Sequence, residues 1–137
     1  MVEERVTDGR RIAELLASEV EGRVGALASL TVGNADRDAE PSVDGTHAYD
    51  VVRENEDADG DAGATVARAF LQPERTRLEL STAPERALAD ARERGLRARP
   101  RAGESPATLV FVESGAATKR AADLLGAVAD TSGADDR

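Results

Sequence analysis

Apolar and polar positions alternate with period two from Thr65 to Thr82. Val66, Arg68 and Phe70 interleave with Ala67, Ala69 and Leu71, and Thr76, Leu78 and Leu80 interleave with Arg77, Glu79 and Ser81. Half-buried strands read this way, and Gln72-Pro73-Glu74-Arg75 between the two runs predicts a β-hairpin whose turn is preset by the fixed φ of Pro73. Three stretches show helical spacing instead. Ile12, Leu15, Leu16 and Val20 form one stripe behind Thr7 or Asp8 as N-cap, ending at Gly22. Thr82-Ala83-Pro84-Glu85 reads as a capping box before a helix that buries Ala87, Leu88 and Ala91 and stops at Gly95. Ser114 caps a third helix with Ala117, Ala121, Leu124, Leu125 and Val128 on its buried face.

The remaining apolar runs have strand length. Val24 to Val32 reads as a strand because Gly22 and Gly25 penalise helix, although Leu27 and Leu30 fit a helix as well. His47 to Glu54 carries the β-formers Tyr49, Val51 and Val52, while Leu96 to Arg101 and Ala107 to Glu113 make a second hairpin. Leu109 to Val112 is continuously apolar, as expected of a strand covered on both faces. Two acidic loops, 33–46 and 55–63, are exposed, and 131–137 is a polar tail that frays. The expectation is a single α+β domain over 1–130, ordered α-β-β-β-β-α-β-β-α, with an antiparallel or mixed sheet and helices mainly on one face.

Residues 69–81, AFLQPERTRLELS, a helix, and then residues 108–125, TLVFVESGAATKRAADLL, resemble the C-terminal part of small YjbR/MmcQ-type α/β domains in element order. That family's aromatic-rich strand before the last helix is absent here. The resemblance implies a strand pair, helix, strand and closing helix, and an association with DNA that assigns no role to any residue of this chain.

Composition makes the core thin. Of 55 apolar residues 26 are Ala, and Leu, Ile, Val and Phe together number 27, near the level at which charged chains stay disordered. Acids outnumber bases by 27 to 18, and Lys119 is the only Lys. A net charge of −9 with few aromatics resembles the proteins of halophiles that keep molar salt in the cytoplasm, where the screening length falls to about 3 Å. A GC-rich genome favours much the same residues. The absence of Cys excludes disulfides, thiolate nucleophiles and thiolate metal sites. Without an apolar run of membrane-spanning length or a basic leader, the reading is a cytoplasmic protein that does not enter a membrane.

Candidate chemistry is sparse. Counting Asp57 as the first position of a calcium loop puts Ala62 where Gly is required and Arg68 where a bidentate Glu is required, so an acidic turn is the better reading. His47, the only His, lies near Tyr49 and Asp50, yet no nucleophile motif or metal-ligand pair accompanies it. Glu113-Ser114-Gly115 at a helix start is explained by capping. Charge segregation remains. Residues 34–62 hold ten acids and two bases, whereas 68–101 hold nine Arg and five acids. Period two puts Arg75 and Arg77 on one strand face and Arg97, Arg99 and Arg101 on another, and if these adjoin they make an anion-binding patch. The resulting expectation is a non-enzymatic interaction module without cofactor or metal. Its Arg face meets an acidic protein surface or a second copy of the chain. Nucleic acid bound through the same Arg face is the alternative, disfavoured because salt weakens phosphate contacts and few aromatics remain for stacking.

Overall fold

The computed structural model describes residues 8–22, 30–53, 65–103 and 106–135, with the backbone alone for 130–135. Helix α1 (Gly9–Gly22) starts at Asp8, whose Oδ1 accepts from the amides of Arg10 at 2.9 Å and Arg11 at 3.3 Å. These two donors have no partner inside the helix, which is why an N-cap carboxylate is stabilising. The stripe Ile12, Leu16 and Val20 is buried, and Leu15 is half-buried.

Six strands follow the predicted order: β1 (Leu30–Gly33), β2 (Thr46–Arg53), β3 (Thr65–Gln72), β4 (Arg75–Leu80), β5 (Arg97–Arg101) and β6 (Ala107–Val112). Helix α2 (Pro84–Glu93) joins β4 to β5, and α3 (Ala117–Asp135) closes the chain. The fold is a single α+β domain with one antiparallel sheet, ordered β1-β2-β3-β4-β6-β5. Strand β6 therefore slots between β4 and β5. Of the strand expected at Val24 to Val32, the part from Leu30 is present and residues 23–29 lie outside the described residues, as does the acidic loop at 55–63.

Strand parity sorts the side chains into two faces. One face carries Tyr49, Ala69, Leu71, Thr76, Leu78, Leu80, Thr108, Val110 and Val112, all buried and all turned to the helices. Hydrogen bonds fix the helices there. Tyr49 Oη donates to the Ala13 carbonyl at 2.7 Å, Thr76 Oγ1 donates to the Gly9 carbonyl at 2.9 Å, and Thr108 Oγ1 donates to the Pro84 carbonyl. Ala87 and Ala91 of α2 are fully buried, so this helix lies close on the sheet. Leu16, Leu78, Leu80, Leu124 and Leu125 supply the bulk of the core, each worth about 1.5–3 kcal/mol on burial.

Three expectations are corrected. The capping box at Thr82 and Glu85 does not form, because Ala83 adopts φ 45 and ψ 59 and becomes the N-cap itself, without a side-chain bond. Pro84 and Glu85 still occupy the first turn, and the helix ends as expected. Gly95 at φ 78 sends its amide to the Arg92 carbonyl and lets the Leu96 amide reach the Ala91 carbonyl at 2.9 Å. Leu88 is half-buried rather than buried. The loop at 33–46 is exposed at 34–38, 40, 43 and 44, while it buries Ala39 and is bonded to α1, β2 and β3. Helix α3 continues to Asp135, past Thr131 where a tail was expected, since no Pro interrupts it and one Gly costs only about 1 kcal/mol.

Candidate interaction face

Among the described residues all three helices pack on one side of the sheet, and no helix lies on the other, which the Val43–Asp44 turn touches only at its rim. Register aligns the open face in rows. His47, Phe70, Arg77, Phe111 and Arg97 are successive cross-strand partners on β2, β3, β4, β6 and β5. The next row is Asp50, Arg68, Glu79, Leu109 and Arg99, and Arg101 stands opposite Ala107 beyond it. Neighbours in a row are about 5 Å apart and rows about 7 Å apart. The five residues singled out from sequence, Arg75, Arg77, Arg97, Arg99 and Arg101, thus share one face, joined by Arg68.

The chain has two Phe, and both lie on this face rather than among the helices. Each is capped by a guanidinium: Arg75 sits 4.1 Å and Arg99 5.9 Å from the Phe111 centroid, and Arg77 sits 4.8 Å from that of Phe70. Such contacts contribute about 0.5–1 kcal/mol at exposed sites, and the Arg stems keep water from the rings. Strand β6 is therefore buried on both faces, as its apolar run predicts, but on this side the cover is Arg instead of helix.

Two carboxylates divide themselves among four of these cations. Glu113 Oε2 meets Arg75 at 3.5 Å and Arg97 at 3.3 Å, while Glu79 meets Arg77 at 3.2 Å and Arg101 at 3.1 Å. Further bonds hold Arg75 and Arg77 flat. Arg75 Nε donates to Gln72 Oε1 at 3.0 Å, and Arg77 donates to the Asp44 carbonyl at 3.1 Å. Among the described residues the face carries six guanidinium groups against the carboxylates of Glu79, Glu113 and Asp50, in a molecule whose net charge is −9. It is a local cationic surface on an acidic protein.

At its β2 border, His47 Nε2 lies 2.7 Å from Asp50 Oδ1, and Asp50 Oδ2 accepts from Asn34 Nδ2 at 2.8 Å. Burial disfavours the charged carboxylate, but the bonds from Asn34 and His47 and the charges of His47 and Arg68 outweigh it and hold Asp50 below the ordinary carboxyl range. Asn34 sits at φ 52, a conformation Asn tolerates better than other side chains. Sequence parity would put His47 and Asp50 on opposite faces. A register shift between His47 and Tyr49 reverses that, bringing Asp50 beside His47 and sending Tyr49 to the helices. There Tyr49 stays neutral: burial, and then the charge of Glu21, push its phenol pKa up.

The rim at the β3–β4 turn is a depression of about 480 Å³ lined by Val43, Gln72, Pro73, Glu74, Arg75 and Glu113. A second groove of about 380 Å³, on the helical side between α1 and the β1–β2 loop, has Tyr49 and small apolar residues in its lining. Among the described residues no group of acids and His is arranged to hold a metal, and no helix is long and apolar enough to cross a membrane.

This is an α+β domain with a one-sided helical layer and an Arg-covered open sheet face. The sequence profile of a family of unknown function, DUF7993, matches residues 1–137, and the chain belongs to that family. No curated protein and no solved structure matches it.

Proposed function

We propose that this protein is a small, non-catalytic interaction module of the cytoplasm whose Arg-bearing sheet face docks an acidic protein surface. The observation that carries the reading is the gathering of Arg68, Arg75, Arg77, Arg97, Arg99 and Arg101 on the sheet face that no helix covers among the described residues. Guanidinium forks match carboxylates bidentately, and those laid on Phe rings lose less freedom on binding than free side chains would. The β5 edge beside the Arg is poorly suited to pairing with an added strand. At β5, Pro100 has no amide hydrogen to offer an added strand, and Arg92 covers the Ala98 carbonyl at 3.4 Å.

A second reading, single-stranded nucleic acid, is favoured by one observation: Arg over Phe offers flat cationic planes on which bases stack. Fluorescence polarisation with a Glu-rich peptide and with single-stranded DNA and RNA, in dilute buffer and in molar KCl, separates the two. The expected result is saturable peptide binding that weakens at least tenfold when Arg97 and Arg99, both exposed, are changed to Glu. Tighter oligonucleotide binding, with a salt slope of about −0.7 per phosphate contacted, gives the face to nucleic acid. Binding indifferent to those substitutions removes the face from the function.

A further inference from the structure

We infer that the turn end of the Arg face is an anchoring subsite for a large aliphatic side chain of the acidic partner. This deepens, and rests on, the reading of that face as a docking surface for an acidic protein.

Val43 is the only large hydrophobic residue exposed among the described residues, at 79%. A lone exposed Val is ordinary on any surface, but this one is held in place. Gln72 Nε2 donates to the Val43 carbonyl at 2.7 Å, the Ser42 amide donates to the Leu71 carbonyl at 3.2 Å, and Arg77 donates to the Asp44 carbonyl. The loop crosses from the helical side, where Arg10 donates to the Ala39 carbonyl at 2.6 Å, to the open face, where it sets Val43 beside the depression. Val43 and Pro73 supply apolar lining to the depression, and Arg75, lying over Phe111, lines it as well. A desolvated apolar anchor ringed by polar groups is the usual form of an interface hot spot.

The lining also decides which part of a partner fits. Glu74 and Glu113 would repel an anion seated in the depression, so the apolar side chain belongs there and the partner's carboxylates belong further along. Arg97, Arg99 and Arg101 recur at every second residue of β5, about 7 Å apart, which is the spacing of alternate side chains in an extended segment. The half-exposed Glu113 contacts Arg75 and Arg97 only at 3.5 and 3.3 Å, and such pairs are weak enough for an incoming carboxylate to displace. The partner segment is therefore extended, with one large aliphatic residue followed by acids at alternating positions.

The test compares two peptides of alternating Glu and Ser, one carrying a Leu at its start and one carrying Ser there, by fluorescence polarisation against the full chain. Wild type is expected to bind the Leu peptide about tenfold more tightly than the Ser peptide. Val43→Ser should abolish that difference, leave the Ser peptide's affinity unchanged, and keep the melting midpoint of wild type, since the side chain is exposed. Equal binding of both peptides, lost on Arg97→Glu and Arg99→Glu, overturns the anchoring subsite and leaves the acidic docking face standing. Failure of both peptides at millimolar concentration, or their displacement by an oligonucleotide that binds more tightly, overturns both.

Discussion

Gly9 marks how closely the first helix meets the sheet. Its amide donates to the Pro73 carbonyl at 3.1 Å, its carbonyl accepts from Thr76, and a methyl group added to it would overlap the carbonyl oxygen of Gln72. Backbone on both sides leaves nothing flexible to yield. Gly9→Ala is expected to destabilise the fold by about 1–3 kcal/mol, read as a lower urea midpoint with unchanged slope. Asp50 sets a second expectation at this scale. Its folded pKa lies below the ordinary 3.8, so its contribution is fully present above that value and is lost as pH falls through the folded one. The stability difference between wild type and Asp50→Asn should therefore shrink below about pH 4. A difference that persists unchanged to pH 2 would mean the His47 and Asn34 bonds do not act through the carboxylate charge.

At the scale of elements, the β1–β2 loop behaves as part of the fold. On composition it looks removable, since closing a loop of half or double the length changes stability by only about 0.6 kcal/mol. Its contacts say otherwise. The Asp36 amide donates to the Ala48 carbonyl at 2.8 Å, Arg10 reaches Ala39, and Ala39 is 5% exposed. Replacing residues 36–40 with Gly-Ser should cost about 2 kcal/mol, at roughly 1 kcal/mol per hydrogen bond lost, measured by chemical denaturation. A cost within 0.6 kcal/mol, in line with the loop-closure estimate, would show that these bonds are replaced by water without loss.

For the whole molecule, the balance is between charge and a core in which Ala is the most frequent residue while a few Leu supply the volume. A net charge of −9 opposes compaction, and its uneven distribution leaves the Arg face cationic while the rest carries the excess acid. Salt screens the repulsion, and excluded salts strengthen apolar burial. Circular dichroism should show a melting midpoint that rises between dilute buffer and molar KCl, because a domain stable by only about 5 kcal/mol responds to small terms. A midpoint that is high and flat over that range would assign the composition to base usage alone. The same salt weakens docking through surface charges, so an aliphatic anchor matters most under the conditions in which the fold is most stable.

Local periodicity by itself determined the order of elements, both hairpins, the helix stripes and the strand face on which each Arg lies, because period two and period 3.6 depend only on neighbours along the chain. The helix end at Gly95 was legible because Gly tolerates the left-handed conformation that a C-cap takes. What tertiary structure decided lies between elements. The insertion of β6 between β4 and β5 brings the Arg of two distant strands onto one surface, and no local spacing encodes that order. The bulge at Ala48 shifts register, so His47 and Asp50, three residues apart, share a face that alternation denies them. Both Phe turn toward Arg rather than toward the helices because their strand parity matches Arg77 and Arg97, a pairing set by register across the sheet. The loop that carries Val43 is polar in sequence and structural in place, since its order comes from backbone carbonyls and amides, which leave no trace in residue type.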